Sequence, residues 1–327
     1  MAPGAEGRLD GGTVGPTLSE LREAAEALRG VAVVTPLIEA PALSRKLGVP
    51  VWLKCEQWQP IGAFKVRGAW TAVTRIPEAA RAAGVIAHSS GNHGRAVAWV
   101  ARRLGLRAVI VMNDNAPAMK VDAVRAEGAE VVLVDRYQRA ATADALAARD
   151  GLAMVPPYEH PDVVLGQATC ALEILEREPG LTTLLSPIGG GGLLAGCCVA
   201  ANALGHPVRL IGVEPEGAAK LSAALAAGKP VPLASTASLA DGLLPVAVGS
   251  VPWRFIEQRV HEALRISEEA IAQAVRFVFH DMGLRVEPSG AVTVAALLSE
   301  EFRPTGPVAA ILSGGNVDPE LFARLTA

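Results

Sequence analysis

A lysine that follows a turn and opens a helix within apolar sequence has the makings of a nucleophile. Lys65 is so placed: it follows Pro60 and Gly62 in the stretch from Lys54 to Ala69 and precedes Val66, Ala69 and Ala72. Burial disfavours the ammonium form, so such an amine loses its proton near neutral pH and serves as nucleophile or base. Taken alone, Lys65 would read as an ordinary lysine on a solvated helix face, the commoner situation. Three glycine-bearing segments downstream shift that reading. Gly189, Gly190, Gly191 and Gly192 form an unbroken run ahead of an apolar helix. Successive glycine amides can converge on one anion, a phosphate above all, with the positive end of a helix behind them; tight turns and close packing also use such runs. The segment Ser89-Ser90-Gly91-Asn92-His93-Gly94 offers two hydroxyls, an amide and backbone N–H groups at a helix start. That set suits a carboxylate, or simply a helix cap. The third segment is Ser313-Gly314-Gly315-Asn316.

Short apolar strands alternating with helices must position these groups. Strands are predicted over Val51 to Lys54, Val85 to His88, Arg107 to Met112, Glu130 to Val134, Leu181 to Ser186, Val208 to Val213 and Val308 to Leu312. Helices are predicted from Thr17 (Leu18, Leu21, Ala24, Leu28), over Ala40 to Leu47, beyond Lys65 to Val73, and over Arg95 to Leu104, Ala118 to Ala126 and Ala140 to Ala148. Further helices follow over Gly166 to Glu178, Leu193 to Ala203, Ala218 to Ala227, Ser267 to Asp281 and Gly290 to Glu301. The alternation predicts an α/β fold with parallel sheets covered by helices on both faces. Ligands of such sheets bind beyond the carboxyl ends of the strands, where all three glycine-bearing segments fall, so the segments are expected to converge.

With 327 residues, 50% hydrophobic and 19% charged, the chain can build a large core. Its net charge of -3 provides no basic patch for nucleic acid, and Lys and Arg do not gather into a membrane-surface helix. The uncharged stretch Leu181 to Gly205 is long enough to span a bilayer, but Pro187 and the four glycines break it into strand, loop and helix. Cys55, Cys170, Cys197 and Cys198 lack metal-like or Cys-x-x-Cys spacing and read as reduced thiols of a cytoplasmic protein. Residues 1–16 are expected to be a flexible tail. Residues 17–72 and 158–327 are expected to form a large cofactor-binding domain, with 73–157 a small domain inserted in it.

A lysine nucleophile, a phosphate cup and a carboxylate nest at strand ends suggest pyridoxal phosphate acting on an amino acid. The sequence resembles the serine/threonine dehydratase and serine racemase family, fold-type II pyridoxal phosphate enzymes with the two-domain, tryptophan synthase β-like fold. The resemblance runs from about Thr17 to Asp318. It rests on Gly62 to Ala69, Ser89 to Gly94, Gly189 to Leu193, Gly212-Val213-Glu214-Pro215, Ala240-Asp241-Gly242, Glu287 to Ala291 and Ser313 to Asn316. It implies that Lys65 holds the cofactor as a Schiff base and acts as the base at Cα. It also implies that Phe64 packs near the ring, Asn92 bonds the 3′-oxygen, Gly189 to Gly192 bind the phosphate, and Glu287 and Ser313 complete the cofactor contacts. Ser89, Ser90, Asn92 and His93 would hold the substrate carboxylate. A neutral Ser313 hydroxyl cannot hold a pyridinium proton as a carboxylate would, which favours β-elimination over transamination. The implied activity is an ammonia-lyase converting a β-hydroxy amino acid such as threonine or serine to a 2-oxo acid and ammonia. A homodimer is the family expectation. The alternatives are 3-hydroxyaspartate dehydration, racemisation, β-replacement, or a cofactor-binding homologue without turnover.

Several positions are particular to this chain. Ser90 matches the second acid/base of the family's racemases, though a carboxylate-binding role is favoured because an unassisted serine is a poor base. Arg95 stands where the family usually has Gln or another neutral residue; it would either recruit an acidic substrate or lie on a solvated helix face. Around the lysine, Ile61 and Ala63 replace the commoner Thr and Ser. In the family's metal loop Glu214 and Ala218 match, but Lys220 stands in place of a carboxylate. The expectation is therefore no metal site and little or no magnesium dependence.

Overall fold

The structure is a computed structural model and describes residues 15–327. The tail expected over 1–16 falls outside the described residues as far as residue 14. From Thr17 onward a capping box starts the first helix, Leu18–Ala27: Thr17 Oγ1 accepts from the Glu20 N–H, and Glu20 accepts from the Thr17 N–H in return.

Ten strands occur among the described residues: β1 (Leu37–Glu39), β2 (Val51–Cys55), β3 (Val85–His88), β4 (Ala108–Asn113), β5 (Glu130–Val134), β6 (Ala153–Met154), β7 (Thr183–Pro187), β8 (Arg209–Pro215), β9 (Val260–Ile266) and β10 (Val308–Leu312). They form a six-stranded sheet in the order β1-β2-β10-β7-β8-β9 and a four-stranded sheet in the order β5-β4-β3-β6. All pairings are parallel except β1 with β2.

Side chains alternate across the larger sheet with the period of two that a pleated strand dictates. Leu184, Ala309 and Ile311 face the helices Pro161–Arg177 and Gly192–Ala203. Their neighbours Leu185, Ala310 and Leu312 face the helices Glu268–His280 and Pro288–Leu298. In the smaller sheet, Ile110 and Met112 pack with the helices Lys65–Arg75 and Asn92–Leu104, while Val109 and Val111 pack on the other side. The helix Lys65–Arg75 crosses the expected domain boundary at residue 72 and packs on both Pro161–Arg177 and Asn92–Leu104.

Element ends depart from expectation where polar residues masked a boundary. The helix expected from Arg95 begins at Asn92, so Asn92, His93 and Gly94 form its first turn instead of a loop. Gly94 permits this, because a Cβ there would lie 2.5 Å from the Ser89 carbonyl oxygen. The helix expected from Gly166 starts at Pro161, capped by His160. Strand β9 was not predicted: its run Val-His-Glu-Ala-Leu-Arg-Ile carries the polar residues of an edge strand. No helix of the described residues is long and apolar enough to cross a membrane, and Leu181 to Gly205 divides into β7, the glycine turn and the helix Gly192–Ala203.

Candidate active site

The chemistry-bearing groups follow the carboxyl ends of β2, β3, β7 and β10. At the first, Ala63 bridges Gly314 and the Phe64 N–H donates to the Ser313 carbonyl at 3.1 Å, fastening the turn before Lys65 to the end of β10. Lys65 is the first residue of its helix. Its Nζ donates to the Pro157 carbonyl at 2.8 Å and lies 5.1 Å from the centroid of the half-buried Phe64 ring. Burial with no facing carboxylate brings the amine down to a pKa of about 8.

The glycine run follows β7. Among the described residues the N–H groups of Gly189, Gly190 and Gly191 have no hydrogen-bond acceptor, and Gly191 caps the following helix without a side-chain bond. Side chains are excluded at these positions. A Cβ on Gly190 would stand 2.3 Å from the Tyr158 ring, and one on Gly189 would stand 3.0 Å from the Gly242 carbonyl oxygen. Gly191 has φ +99°, a conformation that glycine adopts without strain. Buried donors left free at a helix N-terminus are the chemistry of an anion cradle.

Ser89 and Ser90 lie between β3 and the helix. Ser89 Oγ accepts from the Gly91 N–H at 3.3 Å, and Ser90 Oγ accepts from the Asn113 N–H at 2.7 Å. Asn92 donates through Nδ2 to Glu287 at 2.7 Å, while its Oδ1 accepts from Asn316 at 2.7 Å. His93 is placed less favourably for its expected role. Its ring is buried, with Nε2 2.8 Å from the Val155 carbonyl, and burial followed by the nearby Lys65 charge lowers its pKa to about 3. A neutral ring must place its proton on Nε2 to bond a carbonyl. Nδ1 is then a lone-pair acceptor, and it has no partner among the described residues. The imidazole therefore cannot hold a carboxylate from that nitrogen, which leaves the task to the hydroxyls and backbone N–H groups.

Arg95 does not lie on a solvated face. Its guanidinium reaches Glu127 at 3.4 Å, the Ile61 carbonyl at 3.3 Å and Asn316 at 3.4 Å. It also lines, with Asn92, Lys120, Arg285 and Asn316, a cavity of about 250 Å³.

Ser313 is buried at the end of β10 and donates to the Ser289 carbonyl at 3.4 Å. Glu287 is buried nearby, its N–H donating to the Gly314 carbonyl at 3.1 Å; burial, reinforced by Asp241, pushes its carboxyl up to about 8. A carboxyl that is neutral at pH 7 adds no anion beside Asn92, from which it accepts. The free amides, the deprotonatable amine, the flanking aromatic ring and the neutral hydroxyl fit the phosphate, aldehyde and pyridine of the cofactor that the sequence implies.

Two contributors escaped sequence reasoning. Tyr158, whose ring covers Gly190, sat in a stretch read only as a loop, Pro156 to Pro161. The second is an ion network behind the lysine helix. Arg67 donates to Glu56 from Nε and Nη2, both at 2.8 Å, and to Glu173 from Nη1 and Nη2 at 2.6 and 2.8 Å. Lys54 joins Glu173 at 2.5 Å.

Comparison with known proteins bears on this site. A protein family described as pyridoxal-phosphate dependent enzyme matches residues 28–314. An L-threo-3-hydroxyaspartate ammonia-lyase of Saccharomyces cerevisiae is 37% identical over 313 residues, 95% of this chain and 96% of that protein. Among solved structures, maize serine racemase superposes with a TM-score of 0.90 at 33% identity, over 94% of this chain and 96% of that one. The processed form of threonine deaminase isoform 2 from Solanum lycopersicum superposes with a TM-score of 0.87 at 32% identity, over 96% of this chain and 90% of that one.

Proposed function

Since the chain belongs to the pyridoxal-phosphate dependent enzymes, we propose that it is an ammonia-lyase converting a β-hydroxy amino acid to a 2-oxo acid and ammonia. Lys65 would hold the cofactor's aldehyde end, the amides of Gly189 to Gly192 its phosphate and Asn92 its ring oxygen, with Phe64, Glu287 and Ser313 about the ring. When bound, pyridoxal phosphate supplies a conjugated system that takes up the electron pair released at Cα. Ser89, Ser90 and the first N–H groups of the helix Asn92–Leu104 hold the substrate carboxylate. The Lys65 amine, its pKa lowered to about 8 by burial, takes the Cα proton in its free-base form. A proton balancing the one removed at Cα joins the β-hydroxyl, which departs as water, and a second water replaces the nitrogen, so the products are a 2-oxo acid and ammonia.

The observation that carries elimination over racemisation is the setting of Ser90. Its hydroxyl is bonded to the Asn113 N–H, and no carboxylate or imidazole among the described residues accepts its proton. Without such help a serine is a weak base at neutral pH, so only the Lys65 face carries an effective base.

One panel tests the reading: ammonia and 2-oxo acid release from the L and D forms of serine, threonine and 3-hydroxyaspartate. Release from at least one is expected, with racemisation slower. If none yields ammonia while the protein binds pyridoxal phosphate, it is a binding homologue and the reading fails. The cavity beside Asn92, with Arg95, Lys120 and Arg285 on its wall, favours 3-hydroxyaspartate as the acidic member of the panel. Arg95→Gln should then lower kcat/KM for 3-hydroxyaspartate by roughly tenfold relative to threonine; an unchanged ratio removes Arg95 from recognition.

The cup makes its own prediction. Gly190→Ala forces a methyl into the Tyr158 ring, and overpacking of about 1–3 kcal/mol, where it falls on the bound state, corresponds to roughly fivefold to 150-fold in cofactor affinity. Titration of the apoprotein with pyridoxal phosphate measures it, and a wild-type Kd would show that the ring yields freely.

A cytoplasmic homodimer in which residues 73–157 form a small domain inserted between 17–72 and 158–327 completes the proposal. In its support, all four cysteines are free and buried, and the exposed apolar residues Val34 and Trp58 lie on segments joined by the Val33 to Gln59 bond. Sedimentation of the holoenzyme reads the assembly directly.

A further inference from the structure

The position that sets this chain apart in its glutamate loop, Lys220, is fully buried, and its surroundings are oxygen atoms. Its Nζ donates to the Ala218 carbonyl at 2.6 Å and the Leu243 carbonyl at 2.9 Å, and lies 3.9 Å from Glu214 Oε2. Glu214 is also fully buried. Its two carboxylate oxygens accept from the N–H groups of Leu221 and Ser222, each at 2.8 Å, in the first turn of the helix Lys220–Ala227. A lysine at the opening of a helix meets the positive end of the helix dipole, and burial opposes its charge further. The carboxylate and the two carbonyls are what hold an ammonium there.

These contacts join three separate segments: the end of β8, the turn Glu216–Ala218 and the turn Asp241–Leu243. The last of these is part of the cofactor cup. The Gly242 carbonyl oxygen stands 3.0 Å from where a Gly189 Cβ would be, and the Gly242 N–H donates to Ser289 Oγ at 2.9 Å. Among the described residues no group of three or more acidic, histidine or cysteine side chains could hold a metal ion.

We propose that the Lys220 ammonium is a built-in cation, a positioning residue that ties the turn Asp241–Leu243 to Glu214 and so fixes the floor beneath Gly189. The donor set around Nζ is the oxygen cage that a hard cation would require, and the tethered charge takes the place of an exchangeable ion. Exchanging Lys220 for glutamate would leave two carboxylates and two carbonyls around one point, which is a site for a divalent ion. The inference rests on the reading of Gly189 to Gly192 as the phosphate cup, and is independent of which amino acid is turned over.

The test uses full-length apoprotein and holoenzyme, with metal content by mass spectrometry and pyridoxal phosphate affinity by absorbance titration; neither readout needs turnover. Wild type should carry no stoichiometric metal, and its cofactor Kd should be the same in chelator as in magnesium. Lys220→Met should raise that Kd roughly tenfold, a loss that magnesium and manganese leave unchanged. Lys220→Glu should bind the cofactor weakly in chelator and recover when manganese is added, with one ion bound per chain. A wild-type Kd that rises in chelator and is restored by magnesium overturns the proposal, as does Lys220→Met with wild-type affinity. Should either variant fail to fold, the wild-type measurements still decide. If Gly190→Ala loses affinity and Lys220→Met does not, the role of Lys220 alone falls; if both keep wild-type affinity, the cup assignment falls with it.

Discussion

Replacing Lys65 with alanine is expected to lower ammonia release by at least ~10³-fold and to abolish covalent attachment of the cofactor, while the protein stays folded. Lys65 is half-buried at the opening of its helix and its Nζ touches the protein only through the Pro157 carbonyl, so truncation to alanine leaves no buried charge behind. Borohydride reduction followed by mass measurement should show a cofactor adduct on wild type and none on Lys65→Ala. The free amine attacks and the ammonium does not. With its pKa lowered to about 8 by burial, the attachment rate of wild-type apoprotein should rise with pH and level off above about 8. An attachment rate rising up to pH 10.5 would mean that the amine is not desolvated. Turnover that survived in Lys65→Ala would end the assignment of the site.

Arg67→Met is expected to destabilise the apoprotein by about 3–5 kcal/mol, the range for breaking a buried pair from one side. Such a loss is a large share of the stability of an ordinary domain. Glu56 is fully buried. Burial raises its carboxyl pKa, but Arg67, helped by Lys54 and Thr35, more than reverses this and holds it below the usual carboxylate range. Removing the guanidinium leaves Glu56 without its main partner, and leaves Glu173 with Lys54 as its remaining cation. The double change Arg67→Met with Glu56→Leu should cost less than the sum of the two single changes, because it removes both members of the pair. Denaturant midpoints of the apoproteins measure this. A single variant within about 1 kcal/mol of wild type would show that water or rearrangement satisfies the carboxylates. Arg67 lies two residues beyond Lys65 on the same helix, so a smaller loss of cofactor attachment should accompany the unfolding.

Local sequence determined a good deal. Periodicity of two against periodicity of nearly four separated most strands from helices, because the side of an element that is buried follows from backbone geometry alone. The unbroken glycines between an apolar strand and an apolar helix, and the lysine after a turn, marked the proposed cofactor groups for the same reason: their chemistry is carried by the residues themselves and their neighbours in sequence. Helix ends at Asn92 and Pro161, and edge strand β9, were less legible, since capping and edge pairing depend on what lies alongside.

Tertiary structure decided the rest. Arg67 belonged to a recognisable motif, but its partner Glu173 is 106 residues away, and nothing local indicates that the two would be buried together. His93 looked like a carboxylate ligand until the fold placed the Val155 carbonyl against its ring and fixed its tautomer. Arg95 acquired Glu127 and Asn316 only when the helix Asn92–Leu104 packed beside the loops that carry them. Lys220 could be read as a substitution in a loop, but its worth as a cation depends on the Leu243 carbonyl, 23 residues on. Residue type sets which chemistry is available; the electrostatic state of each group is set by desolvation and by partners that only the folded chain brings within reach.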